Sequence, residues 1–147
     1  MRILVDADAC PVTEDIIEIG RARSIAVILV CDFRQDLSRW DGVEVITADG
    51  PSDAADWAIV GRARPGDIVV TQDFGLASLV LAKGCAALSP RGRRFTAENI
   101  DLLLAQREAG RRIRRAGGRT KGPSAFTPED RAAFRQVLSE LATARLE

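Results

Sequence analysis

Met1-Arg-Ile-Leu-Val-Asp-Ala-Asp-Ala-Cys-Pro11 opens the chain with a short apolar run that ends in two carboxylates, Asp6 and Asp8. Ile3, Leu4 and Val5 read as a strand buried on both faces, and Pro11 suits the first position of a following helix. A strand running straight into a helix is the building unit of α/β sheets, and ligands bind at the carboxyl edge of such sheets. Turns that grip phosphate directly carry glycines. This one carries acids, which repel phosphate unless a cation lies between. The stretch therefore points to an α/β fold with a divalent metal at its edge and, through the metal, to phosphate chemistry.

Working outward, the same alternation continues to residue 89. Strand candidates are Arg2–Asp6, Ile25–Cys31, Val43–Thr47, Asp67–Thr71 and Cys85–Ser89. Between them, apolar residues recur at helical spacing: Val12, Ile16 and Ile19, then Ala55 and Ile59, then Leu76, Leu79 and Val80 before Gly84. This order predicts a doubly wound, mainly parallel sheet of five strands. Residues 32–42 fit either a loop or a short helix. From residue 96 the pattern is helical only. Thr96 is a candidate N-cap ahead of Ile100, Leu103 and Leu104. Thr127-Pro128-Glu129-Asp130 opens a last helix whose apolar face holds Phe134, Val137, Leu138 and Leu141. The 147 residues are expected to form one domain, with 96–147 as a basic, all-helical C-terminal extension.

Composition removes several chemistries. The chain has no histidine, which excludes Ser-His-Asp and Cys-His catalysis and every His-ligated metal site. Three cysteines, Cys10, Cys31 and Cys85, have no CxxC spacing and read as small buried hydrophobes. A thiolate at Cys10 would sit unfavourably beside two carboxylates. No run approaches the roughly 18 apolar residues of a membrane span, and no cleavable leader precedes the first strand, so the expectation is a cytoplasmic protein with no membrane partner. The net charge is zero but divided: residues 1–90 hold 14 acids against 8 bases, and residues 91–147 hold 13 bases against 7 acids. An acidic front and a basic back suggest a metal region beside a polyanion-binding one.

Two further acidic clusters fall where the topology brings them near Asp6 and Asp8. Asp53 and Asp56 are three residues apart at a helix start, so both can point at one spot. A buried strand runs into Thr71, which supports the site, and then Asp73. Each acid also has a structural explanation: Asp53 with Asp56 as a capping pair, Asp73 as a cap for the helix from Phe74, Asp6 and Asp8 as a solvated turn. Clustering favours a cation. Unit charges about 5 Å apart at an effective dielectric near 20 repel by roughly 3 kcal/mol per pair. With hard oxygen ligands only, the cation is Mg²⁺ or Mn²⁺, held by Asp6, Asp53, Asp56 and Asp73, with Asp8 completing the candidate catalytic set.

Val5-Asp6-Ala-Asp8-Ala-Cys-Pro11, Ser52-Asp53-Ala-Ala-Asp56, Gly66-Asp67-Ile-Val-Val-Thr-Gln-Asp73, Leu88-Ser-Pro-Arg-Gly-Arg93 and Glu98-Asn-Ile-Asp101 together resemble the YaiI/YqxD family of uncharacterised small bacterial proteins. The likeness covers essentially the whole chain. That family resembles in turn the PIN-like (NYN-type) nucleases, which implies a three-layer α/β/α fold with an acidic pocket for Mg²⁺ or Mn²⁺. Carried over by position, Asp6 matches the first-strand acid, Asp53 or Asp56 the helical acid, and Asp73 the acid after the fourth strand. Phe74-Gly75 stand where many PIN domains carry a fourth acid.

The basic half supplies the candidate nucleic-acid contacts. Arg91, Arg93 and Arg94 follow the last strand and should emerge at the same edge. Arg111, Arg112, Arg114 and Arg115 lie in a run from Arg107 to Lys121 whose only acid is Glu108. Arginine suits phosphate, and with aromatics at 5 % of the chain, backbone contact outweighs base stacking. Three functions follow: a divalent-metal-dependent nuclease acting on single-stranded RNA, a non-catalytic nucleic-acid or partner-binding module on the same scaffold, and an aspartate-based phosphatase using Asp6-Ala-Asp8.

Overall fold

Side-chain alternation in the first strand, β1 (Arg2–Asp6), builds two cores at once. Ile3 and Val5 enter one buried cluster and Leu4 the other. The same split holds for β2 (Ala26–Cys31), where Val27 and Leu29 oppose Ile28 and Val30. It holds again for β4 (Ile68–Val70), where Ile68 and Val70 oppose Val69, and for β5 (Ala86–Leu88), where Ala86 and Leu88 oppose Ala87. Strands apolar on both faces require helices on both sides. The computed structural model, which describes residues 1–8, 10–32, 42–51, 53–122 and 124–146, shows this three-layer arrangement. Most of the stretch 32–42, whose sequence fits either a loop or a short helix, lies outside the described residues.

One layer holds α1 (Thr13–Ala22) and α5 (Pro128–Leu146); the other holds α2 (Ala54–Arg62), α3 (Phe74–Ala82) and α4 (Ala97–Arg115). Among the described residues the sheet has six strands in the order β3-β2-β1-β4-β5-β6, with β3 at Glu44–Thr47 and β6 at Arg94–Phe95. The first five are parallel and β6 runs antiparallel to β5. The expected mainly parallel α/β fold is thus present with one strand more than the five anticipated. β6 has two residues, one of them Arg94, too short to leave a periodic pattern. It forms because the chain turns back at residues 89–93, where Ser89 N–H donates to Arg93 O at 2.8 Å and Gly92 N–H donates to Ser89 O at 3.0 Å.

Gly92 sits at φ +90°, and a Cβ there would lie 2.9 Å from the backbone of Ala133 and Phe134. The turn therefore rests directly on α5. Pro11 does not start α1. The helix begins at Thr13, and Pro11 occupies the preceding turn, where Cys10 N–H donates to Ala7 O at 3.3 Å.

The two C-terminal helices complete the layers. Ile100 and Leu103 of α4 enter one core; Phe134, Leu138, Leu141 and Ala142 of α5 enter the other. Reciprocal capping boxes open both: Thr96 with Asn99, and Thr127 with Asp130. Buried Asp15 of α1 pairs with Arg131 and, at 2.8 Å, with Arg135 of α5. Arg135 also reaches Glu18 at 3.1 Å. No helix among the described residues is long and apolar enough to cross a membrane.

Candidate functional site

β1 and β4 are adjacent in the sheet, yet the chain leads away from them in opposite directions. A crevice opens at the carboxyl ends of such a pair. Val5 is in register with Val70, which sets Asp6 beside Thr71. Thr71 is almost fully buried. Its hydroxyl donates to Asp6 Oδ2 at 3.0 Å and accepts the Asp73 N–H at 3.0 Å. One side chain therefore fixes both acids, the supporting role expected of it. Asp73 also caps α3, its Oδ1 accepting the Leu76 N–H at 3.1 Å, and Arg107 Nη1 of α4 approaches the same oxygen at 3.5 Å. Capping and facing the site are compatible: Asp73 lines a pocket of about 320 Å³ with Asp6, Asp8, Cys10, Gln72 and Pro90.

A residue absent from the candidate set joins them. Asp32 follows β2 directly, so the carboxyl ends of β1, β2 and β4 each deliver an acid. Its N–H donates to Asp8 Oδ2 at 2.6 Å, while its own Oδ1 is buried with no hydrogen-bond partner among the described residues. The rule that selects Asp6 and Asp73, an acid at the end of a buried strand, applies equally to Cys31-Asp32.

Asp56, in the first turn of α2, is the helical acid that meets this group. Burial, then the charges of Asp73 and Asp6, then a hydrogen bond with Asp73 push its carboxyl from 3.8 up to about 6, and Asp32 adds to the rise. Asp6 is also raised: burial leads, and the charges of Asp8, Asp73 and Asp32 join it against the Thr71 hydrogen bond. Asp53 is engaged elsewhere. It occupies the N-cap position of α2 but caps nothing, accepting instead from Trp57 Nε1 at 2.9 Å. Asp53, Trp57, Leu79, Asp56 and Asp73 border a second, mostly apolar groove of about 360 Å³, so Asp73 is the wall between the two depressions.

The donor chemistry suits a hard divalent cation. Asp6, Asp8, Asp32, Asp56 and Asp73 crowd one edge, the carboxyls of Asp6 and Asp56 are raised by burial and by neighbouring charges, and a buried oxygen of Asp32 has no partner among the described residues. Among the described residues, however, no three His, Cys, Asp or Glu side chains are grouped to hold one metal ion. The reasons are local. Asp53 is turned to Trp57, Asp73 Oδ1 to Leu76 and Arg107, and Asp8 to the Asp32 amide.

The basic candidates divide. Arg91 reaches Asp130 at 2.8 Å, hydrogen-bonds Ser124 and Ala125, and lies over the Phe126 ring, tying the 89–93 turn to the approach to α5. Arg93 and Arg94 are exposed. Arg111, Arg112, Arg114 and Arg115 are exposed on the second half of α4. Helical spacing puts Arg111 and Arg114 on the face of Arg107, about 10 Å of helix leading away from Asp73. Arg112 shares its face with Glu108, at 3.6 Å. Arg107, which in sequence is only one end of a basic run, is the arginine that touches an acid of the pocket.

Two other groups have structural work. Burial alone would raise Asp67, but hydrogen bonds from the Arg2 side chain and the Arg64 and Arg2 amides hold it below its usual value, at the opposite edge of the sheet. Burial pushes the Cys10 thiol up, which disfavours the thiolate.

A model of the uncharacterised YaiI/YqxD family matches residues 4–144. A UPF0178 protein of Exiguobacterium sibiricum is 49 % identical over 147 residues, covering all of both chains. One of Bacillus anthracis is 46 % identical over 143 residues, covering 96 % of this chain and 98 % of its own. Among solved structures, the crystal structure of Rae1 (YacP) from Bacillus subtilis aligns with 98 % of this chain and 99 % of its own, at 19 % identity and a TM-score of 0.46.

Proposed function

This chain belongs to the YaiI/YqxD family, and we propose that the acidic edge of its sheet is the centre of a Mg²⁺- or Mn²⁺-dependent nuclease acting on single-stranded RNA. The observation that supports this most is the set of Asp6, Asp56 and Asp73: burial first, and then neighbouring carboxylate charges, raise Asp6 and Asp56, and Asp6 and Asp73 line an open pocket. Carboxylates left in mutual repulsion at a crevice are poised for a cation.

Asp6, Asp56 and Asp73, which are not grouped around one point as they stand, are the carboxylates that would hold it. When bound, a divalent cation activates water and offsets the charge that builds on a phosphate. The chain supplies the rest. Thr71 locks Asp6 and the Asp73 backbone together. Arg107 holds Asp73 from α4 and starts the arginine face that would draw a phosphate backbone toward an otherwise repulsive edge. Burial and then the charges of Asp73 and Asp6 raise Asp56 to about 6, so below that pH a proton on Asp56 would compete with the cation.

The test is cleavage of single-stranded RNA with Mg²⁺ or Mn²⁺, abolished in Asp6→Asn and Asp73→Asn. Asparagine at position 73 can still cap α3, so folding should survive. Cleavage that persists in both variants, or none in the parent, ends this reading. A non-catalytic RNA-binding module is the second reading, favoured by the lack of three grouped ligands among the described residues. It would bind RNA with the same salt dependence and cut nothing. A phosphatase is less suited, because Asp8 accepts a backbone N–H where that chemistry needs a proton donor.

A further inference from the structure

Next to the acidic pocket lies a larger one of about 730 Å³, and the two share Gln72 and Pro90 as a partition. We propose that this second pocket receives one unpaired nucleoside of the RNA, the one attached to the phosphate lying at the acidic edge. The inference rests on the reading of that edge as a place where RNA lies and adds what the protein holds there.

Size is the first argument. About 730 Å³ falls within the range of small-molecule sites and accommodates a base with its sugar. Continuity is the second: a nucleoside is bonded directly to its phosphate, and these pockets are separated by one partition. Lining is the third. Half-buried Phe74, braced edge-on by buried Phe95 with ring centroids 5.6 Å apart at 64°, gives an apolar wall suited to a flat heterocycle. The 89–93 turn adds polar groups to the same lining.

Rigidity is the fourth argument. Ser89 Oγ accepts the N–H groups of Arg91 at 3.3 Å and Arg93 at 3.1 Å, Gly92 is seated on α5, and Arg91 is pinned to Asp130. A preformed wall loses little freedom on binding. Charge is the last. Arg93 lies at this pocket, is exposed, and makes no ion pair among the described residues, so one cation of the turn is spent on the fold and the next is left for a phosphate. A base seated here cannot be paired, so single strands should be preferred over duplexes.

The test is an amide-shift titration of the full chain with Mg²⁺ present, using adenosine monophosphate, ribose phosphate and inorganic phosphate in turn. The nucleotide should shift Gln72, Ser89, Gly92 and Arg93 saturably and bind at least tenfold more tightly than either phosphate lacking a base. Arg93→Ala, an exposed change, should weaken nucleotide binding about tenfold, the effect of losing one charge-assisted hydrogen bond. Equal binding of ribose phosphate, unmoved turn amides, or an unaffected Arg93→Ala variant would overturn the proposal. RNA cut by a protein whose turn ignores the nucleotide would remove this pocket and leave the nuclease reading intact. Nucleotide binding here without any RNA cleavage would leave the pocket and remove the nuclease.

Discussion

Replacing Asp56 by Asn should stabilise the protein above about pH 6 in the absence of divalent cation and change little near pH 4. The Asp56 carboxyl is raised from 3.8 to about 6 by burial and by Asp73 and Asp6. Between those values the folded state holds a proton that the unfolded chain has released. Its contribution is therefore complete below about pH 4 and lost as pH rises through about 6. At 1.36 kcal/mol per pKa unit the ceiling is about 3 kcal/mol. Asp56 is only half-buried, and solvent screening brings a realistic figure to about 1 kcal/mol. Asparagine mimics the protonated acid and removes the penalty, which corresponds to a melting-temperature rise of about 2–4 °C at this size. Thermal and urea unfolding with chelator, across about pH 4 to 8, would read it. Mn²⁺ should narrow the gap, because a cation at 100 times its dissociation constant adds about 2.7 kcal/mol to the parent and less to a variant that is short of a ligand. If Asp56→Asn is destabilising to the same extent at both ends of the pH range, and Mn²⁺ stabilises both proteins alike, the carboxylate cluster does not exist as described.

Other consequences follow from the geometry. Gly92→Ala should cost at least about 2 kcal/mol in urea unfolding, because the left-handed backbone and the approach to Ala133 and Phe134 both oppose a Cβ. The Arg131→Ala/Arg135→Ala double variant, which leaves Asp15 buried without its two partners, should lose about 3 kcal/mol in the same assay. On RNA, Arg111→Ala/Arg114→Ala should reduce the salt slope by about 0.7 for each phosphate no longer neutralised, whereas Arg112→Ala/Arg115→Ala should matter less. Equal effects of the two pairs, measured by fluorescence anisotropy over a salt series, would show that the face shared with Arg107 has no special part.

Much of this site is legible in the sequence because strand ends are legible. Ile3-Leu4-Val5 and Ile68-Val69-Val70 are apolar on both faces, so their positions at the sheet centre, and the acids just beyond them, follow from pattern alone. Asp32 is missing from the candidate set although the strand read as Ile25–Cys31 ends where β2 does, so the rule that selects Asp6 and Asp73 selects it too. Spacing cannot separate Asp53 from Asp56. Both suit the first turn of α2, and the choice is made by Trp57, whose indole N–H takes Asp53. A run of arginines likewise looks uniform in sequence. Only packing shows that Arg91 is bound into the fold and that Arg107 meets Asp73, since each partner is more than 30 residues distant. β6 is invisible because two residues carry no periodicity, and its existence depends on how the preceding turn is seated.

That seat has a bearing on how the molecule comes into being. Phe134, Leu138, Leu141 and Ala142 cover the sheet face of Ile3, Val5, Leu29 and Val70, and the same helix supports Gly92. A ribosome adding about 5–20 residues each second needs roughly 3–10 s to pass from the end of β5 to this helix. For that interval one side of the sheet has α1 but lacks α5, which is a risk of aggregation, and the 89–93 turn lacks the helix it rests on. A nascent or prematurely released chain would then carry every aspartate of the cluster and still lack the wall beside it. On the proposed reading, the nucleoside pocket would be complete only once this last helix has been made.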